Sequence, residues 1–132
     1  MQNFSEKENT SIKRLTKGKL PSLPFWRIKN TILGKNYELS IVFAGSKLSR
    51  KLNKTYRGKD KPTNILSFPT AKNSGELVIN LAKVRLDAPL FDKSYLNFLG
   101  FLVIHGMLHL KGMQHGSTME SKEKKFSKKF NF

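Results

Sequence analysis

At 132 residues the chain has room for one hydrophobic core but not for two independent domains. Hydrophobic residues make up 38%, which excludes a disordered chain, and the lack of cysteine excludes disulfides, thiolate metal ligands and a cysteine nucleophile. A net charge of +16 points to a polyanionic partner, nucleic acid before anionic lipid, or else to a Lys-rich composition with no specific partner.

Residues 1–20 are polar and basic and read as a loose lead-in or an irregular first element. Met1–Thr10 lacks the apolar centre of a signal peptide, so the expected compartment is the cytoplasm. Pro24–Leu33 has Pro in its first turn and Gly34 just past its end, the pattern of a short helix. Tyr37–Ala44 alternates and is rich in β-formers, which predicts a strand. Ser46 is placed to cap a helix running to about Tyr56, with Leu48 and Leu52 facing inward. From Lys47 to Lys61 there are seven positive charges and one negative, Asp60. This segment is either a solvated helix face with its following loop or a phosphate-contact surface.

Pro62, Thr63 and Asn64 break that helix, and Ile65–Phe68 reads as a strand stopped by Pro69. A turn at Ala71–Gly75 and a third strand at Glu76–Leu81 follow. Three strands interleaved with helices predict a small mixed sheet in a single domain. Phe91–Lys111 is the longest helix candidate, with Leu96, Leu99, Val103 and Leu110 at helical spacing and apolar residues around most of it, so it should be central and covered. Its uncharged stretch, Ser94–Leu110, is shorter than the roughly 20 apolar residues that span a bilayer, and no membrane role is expected. Ser117–Phe132 reads as a basic C-terminal helix or tail, with Phe126 and Phe130 one turn apart.

All three histidines fall within HGMLHLKGMQH, residues 105–115. His105 and His109 are one helical turn apart and share a face. Gly112 permits the positive φ that returns His115 to the same point. Three histidines placed at random would show this spacing roughly once in a few thousand chains, so a metal site is the better reading. Three imidazoles leave a fourth position open, the arrangement of a catalytic zinc, with one ion per chain at the end of the central helix. The spacing also matches the metzincin peptidases, but they need Glu directly after the first histidine, and Gly106 stands there.

The histidine segment resembles the signature HGxLHLxGYDH of the YbeY endoribonuclease and rRNA maturation family. LNKTYRGKDKPTNILSFP, Leu52–Pro69, is similar to a second segment of that family, and GELVIN, Gly75–Asn80, to a third. The resemblance implies an α+β fold with a mixed sheet, a three-histidine zinc site in a cleft, and single-strand-specific RNA cleavage. It also implies maturation of the 3′ end of small-subunit rRNA, ribosome quality control, the small ribosomal subunit as partner, and no action on DNA. It implies that Arg57 faces the metal cleft and matters for activity.

The chain departs from the signature at Met113-Gln114, where the family has Tyr-Asp, and a neutral Gln114 would support a ligand imidazole less than Asp does. On this reading zinc activates a water and polarises a phosphoryl oxygen, and Arg57 clamps the scissile phosphate. Lys54, Lys59 and Lys61 would track neighbouring phosphates. Tyr56 either stacks a base or packs at its helix end, and Glu76 is either a general base or a structural carboxylate. The alternatives are an rRNA-binding assembly factor with a structural zinc, and a metallohydrolase of another anionic substrate.

Overall fold

The computed structural model describes residues 4–132. Its elements are β1 (Phe4–Lys7), β2 (Thr10–Arg14), α1 (Phe25–Ile32), β3 (Glu38–Phe43), α2 (Ser46–Arg57), β4 (Ile65–Ala71), β5 (Ser74–Ile79), α3 (Leu81–Asp87), a 3-10 turn (Ala88–Phe91), α4 (Tyr95–Leu110) and α5 (Ser117–Phe130). The strands form one mixed sheet in the order β1-β2-β3-β5-β4, parallel at β2–β3 and β3–β5 and antiparallel at both edges. The fold is therefore α+β.

Alternation in the strands sorts the two sides of the sheet. Leu39, Ile41 and Phe43 of β3 and Leu77 and Ile79 of β5 are buried in the main core with α1 and α4. Ala44, Leu66 and Val78 form a second cluster under Leu48 and Leu52 of α2. Helix α4 is apolar on nearly all sides because β4, β5, α1, α3 and α5 surround it. Leu99, Val103 and Leu110 are buried as expected, whereas Leu96 near the start of the helix is 40% exposed. Among the described residues no helix is long and apolar enough to cross a membrane.

Several boundaries differ from the sequence reading. The lead-in is a β-hairpin: Glu8 and Asn9 both take positive φ, 47° and 62°, as a two-residue hairpin turn needs, and β2 pairs with β3. Residues 1–3 of that lead-in lie outside the described part. The hairpin is anchored by Lys29, which is fully buried with its ammonium donating to the carbonyls of Glu8 (2.8 Å), Lys35 (3.0 Å) and Gly34 (3.3 Å). Burial holds its pKa below the usual lysine value, opposed by Glu8. Pro69 does not stop β4, because β4 is an edge strand and tolerates Pro at an irregularity between Pro69 and Ala71. β5 starts at Ser74 and ends at Ile79, because the Asn80 side chain caps α3 by accepting from the Lys83 N–H at 3.2 Å. Ser46 is not the cap of α2; Gly45 is, and the Ser46 hydroxyl accepts instead from Asn80 at 3.1 Å. The long helix starts at Tyr95, capped by Ser94, after the chain turns through Asp92 at φ 54°.

Candidate metal centre

His105 and His109 lie on the last two turns of α4, and Gly112 follows with φ 97°, turning the chain so that His115 returns to them. The three rings lie 4.5, 5.2 and 4.7 Å apart between centroids. Each offers one ligand atom, all within 4.8 Å of one another, the group among the described residues that could hold a metal ion.

Hydrogen bonds favour one tautomer of each of the two helical histidines. His109 Nδ1 lies 3.0 Å from the Met113 carbonyl, which can only accept, so that nitrogen carries the proton. His105 Nδ1 lies 2.7 Å from the Glu123 carboxylate, so it too is the donor. With both rings neutral, the two Nε2 lone pairs point at one position from 3.1 Å apart, and either a proton shared between them or a metal ion relieves their repulsion. Tetrahedral zinc with Zn–N of about 2.0–2.1 Å sets its nitrogen pairs roughly 3.3 Å apart, so the donor set fits. Burial, then the neighbouring His105, lower the pKa of His109; the Met113 carbonyl opposes them. The neutral imidazole that a metal needs is thereby favoured.

Glu123 was not foreseen from the sequence. It is a buried acid in an otherwise lysine-rich helix, and α5 folds against α4 to bring it to His105. It supplies the orienting carboxylate that Gln114 lacks, from the next element of the chain. Gly106 lies beside the histidine face of α4, where the helix packs against β4 and β5. A Cβ there would come within 2.8 Å of Leu77, 2.9 Å of Ile65 and 3.1 Å of Ser67. Position 106 is thus closed to the carboxylate a peptidase would need.

The histidines line a cleft of about 510 Å³ together with Arg57, Lys59, Thr63, Asn64 and Ser67. The α2–β4 connection is folded back by buried polar side chains. Ser49 Oγ donates to the Thr63 carbonyl at 2.7 Å and accepts from its N–H at 2.9 Å, and Asn53 donates to the Lys61 carbonyl at 2.9 Å. Gly58, at φ 69°, ends α2 so that Arg57 and Lys59 reach the cleft. Asn64 is held by donating to Asp87 at 3.1 Å.

The predicted basic residues separate here. Lys59 lines the cleft, but Lys54 and Lys61 do not; Lys61 borders a different groove with Arg50 and Asp60, which form an ion pair at 2.7 Å. Tyr56 packs edge-on against Phe68, centroids 5.0 Å apart. Glu76 lies away from the cleft, in a groove of about 730 Å³ on the open sheet face with Glu6, Glu8 and Glu38. That groove is larger, but its carboxylates repel phosphates and it has no histidine.

Residues 2–131 match the family described as Endoribonuclease YbeY. The endoribonuclease YbeY of Geobacillus kaustophilus is 35% identical over 100 residues, covering 64% of this chain and 64% of the relative. That of Chelativorans sp. is 38% identical over 94 residues, covering 64% of this chain and 58% of the relative. The chain thus spans less than two-thirds of the length of these curated relatives. The solution structure of TM1509 from Thermotoga maritima is similar with a TM-score of 0.57 and 27% identity, covering 78% of this chain and 76% of that one.

Proposed function

The chain belongs to the YbeY endoribonuclease family, and from that premise we propose that it is a zinc-dependent endoribonuclease cutting single-stranded RNA at the three-histidine cleft. The observation that carries this reading is the convergence of His105, His109 and His115 with Arg57 and Lys59 on one cavity. By analogy with the family, its substrate is the 3′ end of small-subunit rRNA, with roles in maturation and quality control on the small ribosomal subunit in the cytoplasm.

His105, His109 and His115 would hold the ion. A bound zinc would act as a Lewis acid, lowering the pKa of a coordinated water towards neutrality and polarising a phosphoryl oxygen. Arg57 makes no ion pair among the described residues, so its planar fork is available for two oxygens of the scissile phosphate. Lys59 attracts the neighbouring phosphate, and Lys54 and Lys61 contribute to the wider field that draws RNA in. Glu123 keeps the His105 proton on Nδ1, so that Nε2 stays directed at the metal.

Purified protein should contain one zinc per chain, and chelation should abolish cleavage of a single-stranded RNA, with zinc restoring it. Cleavage that survives full removal of metal would overturn the reading. Zinc-loaded protein that binds RNA without cutting it would favour an assembly factor. Glu123→Gln should weaken zinc binding by roughly 10- to 100-fold, because the amide raises imidazole basicity less than a carboxylate. Competition with a chromophoric chelator measures this. An unchanged dissociation constant would make the contact merely structural.

A further inference from the structure

Beside the metal cleft is a second cavity of about 390 Å³, and Asn64, His105 and His115 line both. One wall is a ladder of near-parallel rings. Phe91 and Phe98 stack with centroids 4.9 Å apart and planes 19° from parallel. Phe98 and Phe101 follow at 6.5 Å and 11°, then Phe101 and His105 at 6.3 Å and 26°. Phe98 is buried, but Phe91 on the 3-10 turn is 57% exposed. A ring with that much surface in water, beside a mainly apolar cavity, is an open stacking platform.

Charge divides the labour between the two cavities. The metal cleft has Arg57 and Lys59, whereas the second is lined by Glu120 and the buried Glu123 and by no lysine or arginine. A phosphate is attracted to the first and repelled by the second. A neutral, flat heteroaromatic group attached next to that phosphate fits the second. Lys93 stands outside the lining, with Nζ 5.6 Å from the Phe101 ring centroid, where it can meet the next phosphate along.

We propose that this cavity takes an unpaired nucleobase of the RNA strand whose phosphate lies between the histidines and Arg57. The proposal rests on the RNA reading above and adds a physical cause for single-strand selectivity. A base in a duplex is stacked on its neighbours and paired, so it cannot turn out onto Phe91 without first losing those contacts. Stacking on an aromatic face is tolerant of sequence, so the site selects for an unpaired base rather than for one particular base.

The test is the affinity of a short single-stranded RNA for the zinc-loaded protein, measured by fluorescence anisotropy in the cold within a time over which a gel shows the strand intact. One abasic nucleotide is moved along that strand, and the parent is compared with Phe91→Ala and Phe91→Tyr. In the parent, an abasic nucleotide at one register should weaken binding by roughly 5- to 150-fold, the range of a single base–aromatic stack. Phe91→Ala should lower affinity for the intact strand by a similar factor and erase the abasic penalty, while Phe91→Tyr should retain both. Phe91 is exposed, so its replacement leaves the core intact.

A parent that binds and cuts RNA but shows the same abasic profile as Phe91→Ala overturns the base site alone. A parent that binds no RNA overturns the RNA reading with it. Self-association of the parent that Phe91→Ala abolishes, with RNA affinity unchanged, would assign the face to a second copy of the chain and also overturn the proposal.

Discussion

His109→Ala is expected to weaken zinc binding by about two to three orders of magnitude and to abolish cleavage at ordinary zinc concentrations. Zinc-finger sites bind with roughly 10–16 kcal/mol spread over four ligands, or about 2.5–4 kcal/mol for each. The ring is also held by donating from Nδ1 to the Met113 carbonyl, which fixes the direction of Nε2. Isothermal titration or chelator competition reads the affinity, and a circular dichroism melt shows whether the fold persists. Variant protein that keeps the parent's zinc affinity would remove His109 from the metal site.

The metal-free protein carries a second signature of the same residue. Burial, then the proximity of His105, put the folded-state pKa of His109 below the ordinary imidazole value of 6.5, so the unfolded chain binds more protons at acid pH. Its contribution is therefore full above about 6.5 and lost as pH falls from there through the folded-state value. Metal-free His109→Ala should lose less stability than the parent over that interval. Parallel melting curves against pH decide it.

Arg57→Lys is expected to slow single-turnover cleavage of a single-stranded RNA by 10- to 1,000-fold, roughly 1.4–4 kcal/mol, with zinc content unchanged. Lysine keeps the charge but loses the fork that grips two phosphate oxygens. If the contact tightens as charge builds on the reacting phosphate, the rate falls far more than the affinity. Arg57 lies at the end of α2, away from the main core, so the fold is expected to survive the exchange. A variant that cuts at the parent's rate would take Arg57 out of the mechanism, and one that fails only in affinity would make it a binding residue.

The histidine arrangement was legible in the sequence because it is local. His105 and His109 meet through the pitch of one helix, and Gly112 returns His115 within a few residues. The long helix, the β3 strand and the basic C-terminal helix were legible for the same reason: their periodicity lies within single segments. The β1–β2 hairpin was not. Its residues are mostly polar, and it is held by pairing with β3 and by the buried ammonium of Lys29, neither of which leaves a pattern in residues 4–14.

Tertiary structure alone decided which of the charged and aromatic residues meet the histidines. Glu123 lies 18 positions after His105 in a helix otherwise rich in lysine, and only the packing of α5 on α4 identifies it as the imidazole's partner. Lys54, Lys59 and Lys61 are equivalent as sequence, yet the fold of the α2–β4 connection onto Ser49 and Asn53 presents only Lys59 to the cleft. Phe91, Phe98 and Phe101 look like core residues in the chain, and the break at Asp92 is what leaves Phe91 stacked but open beside the three histidines. The sequence by itself determined the histidine spacing and the elements whose hydrogen bonds close within a few residues. Contacts across long separations depend on how the helices pack on the sheet, and that packing chose the partners.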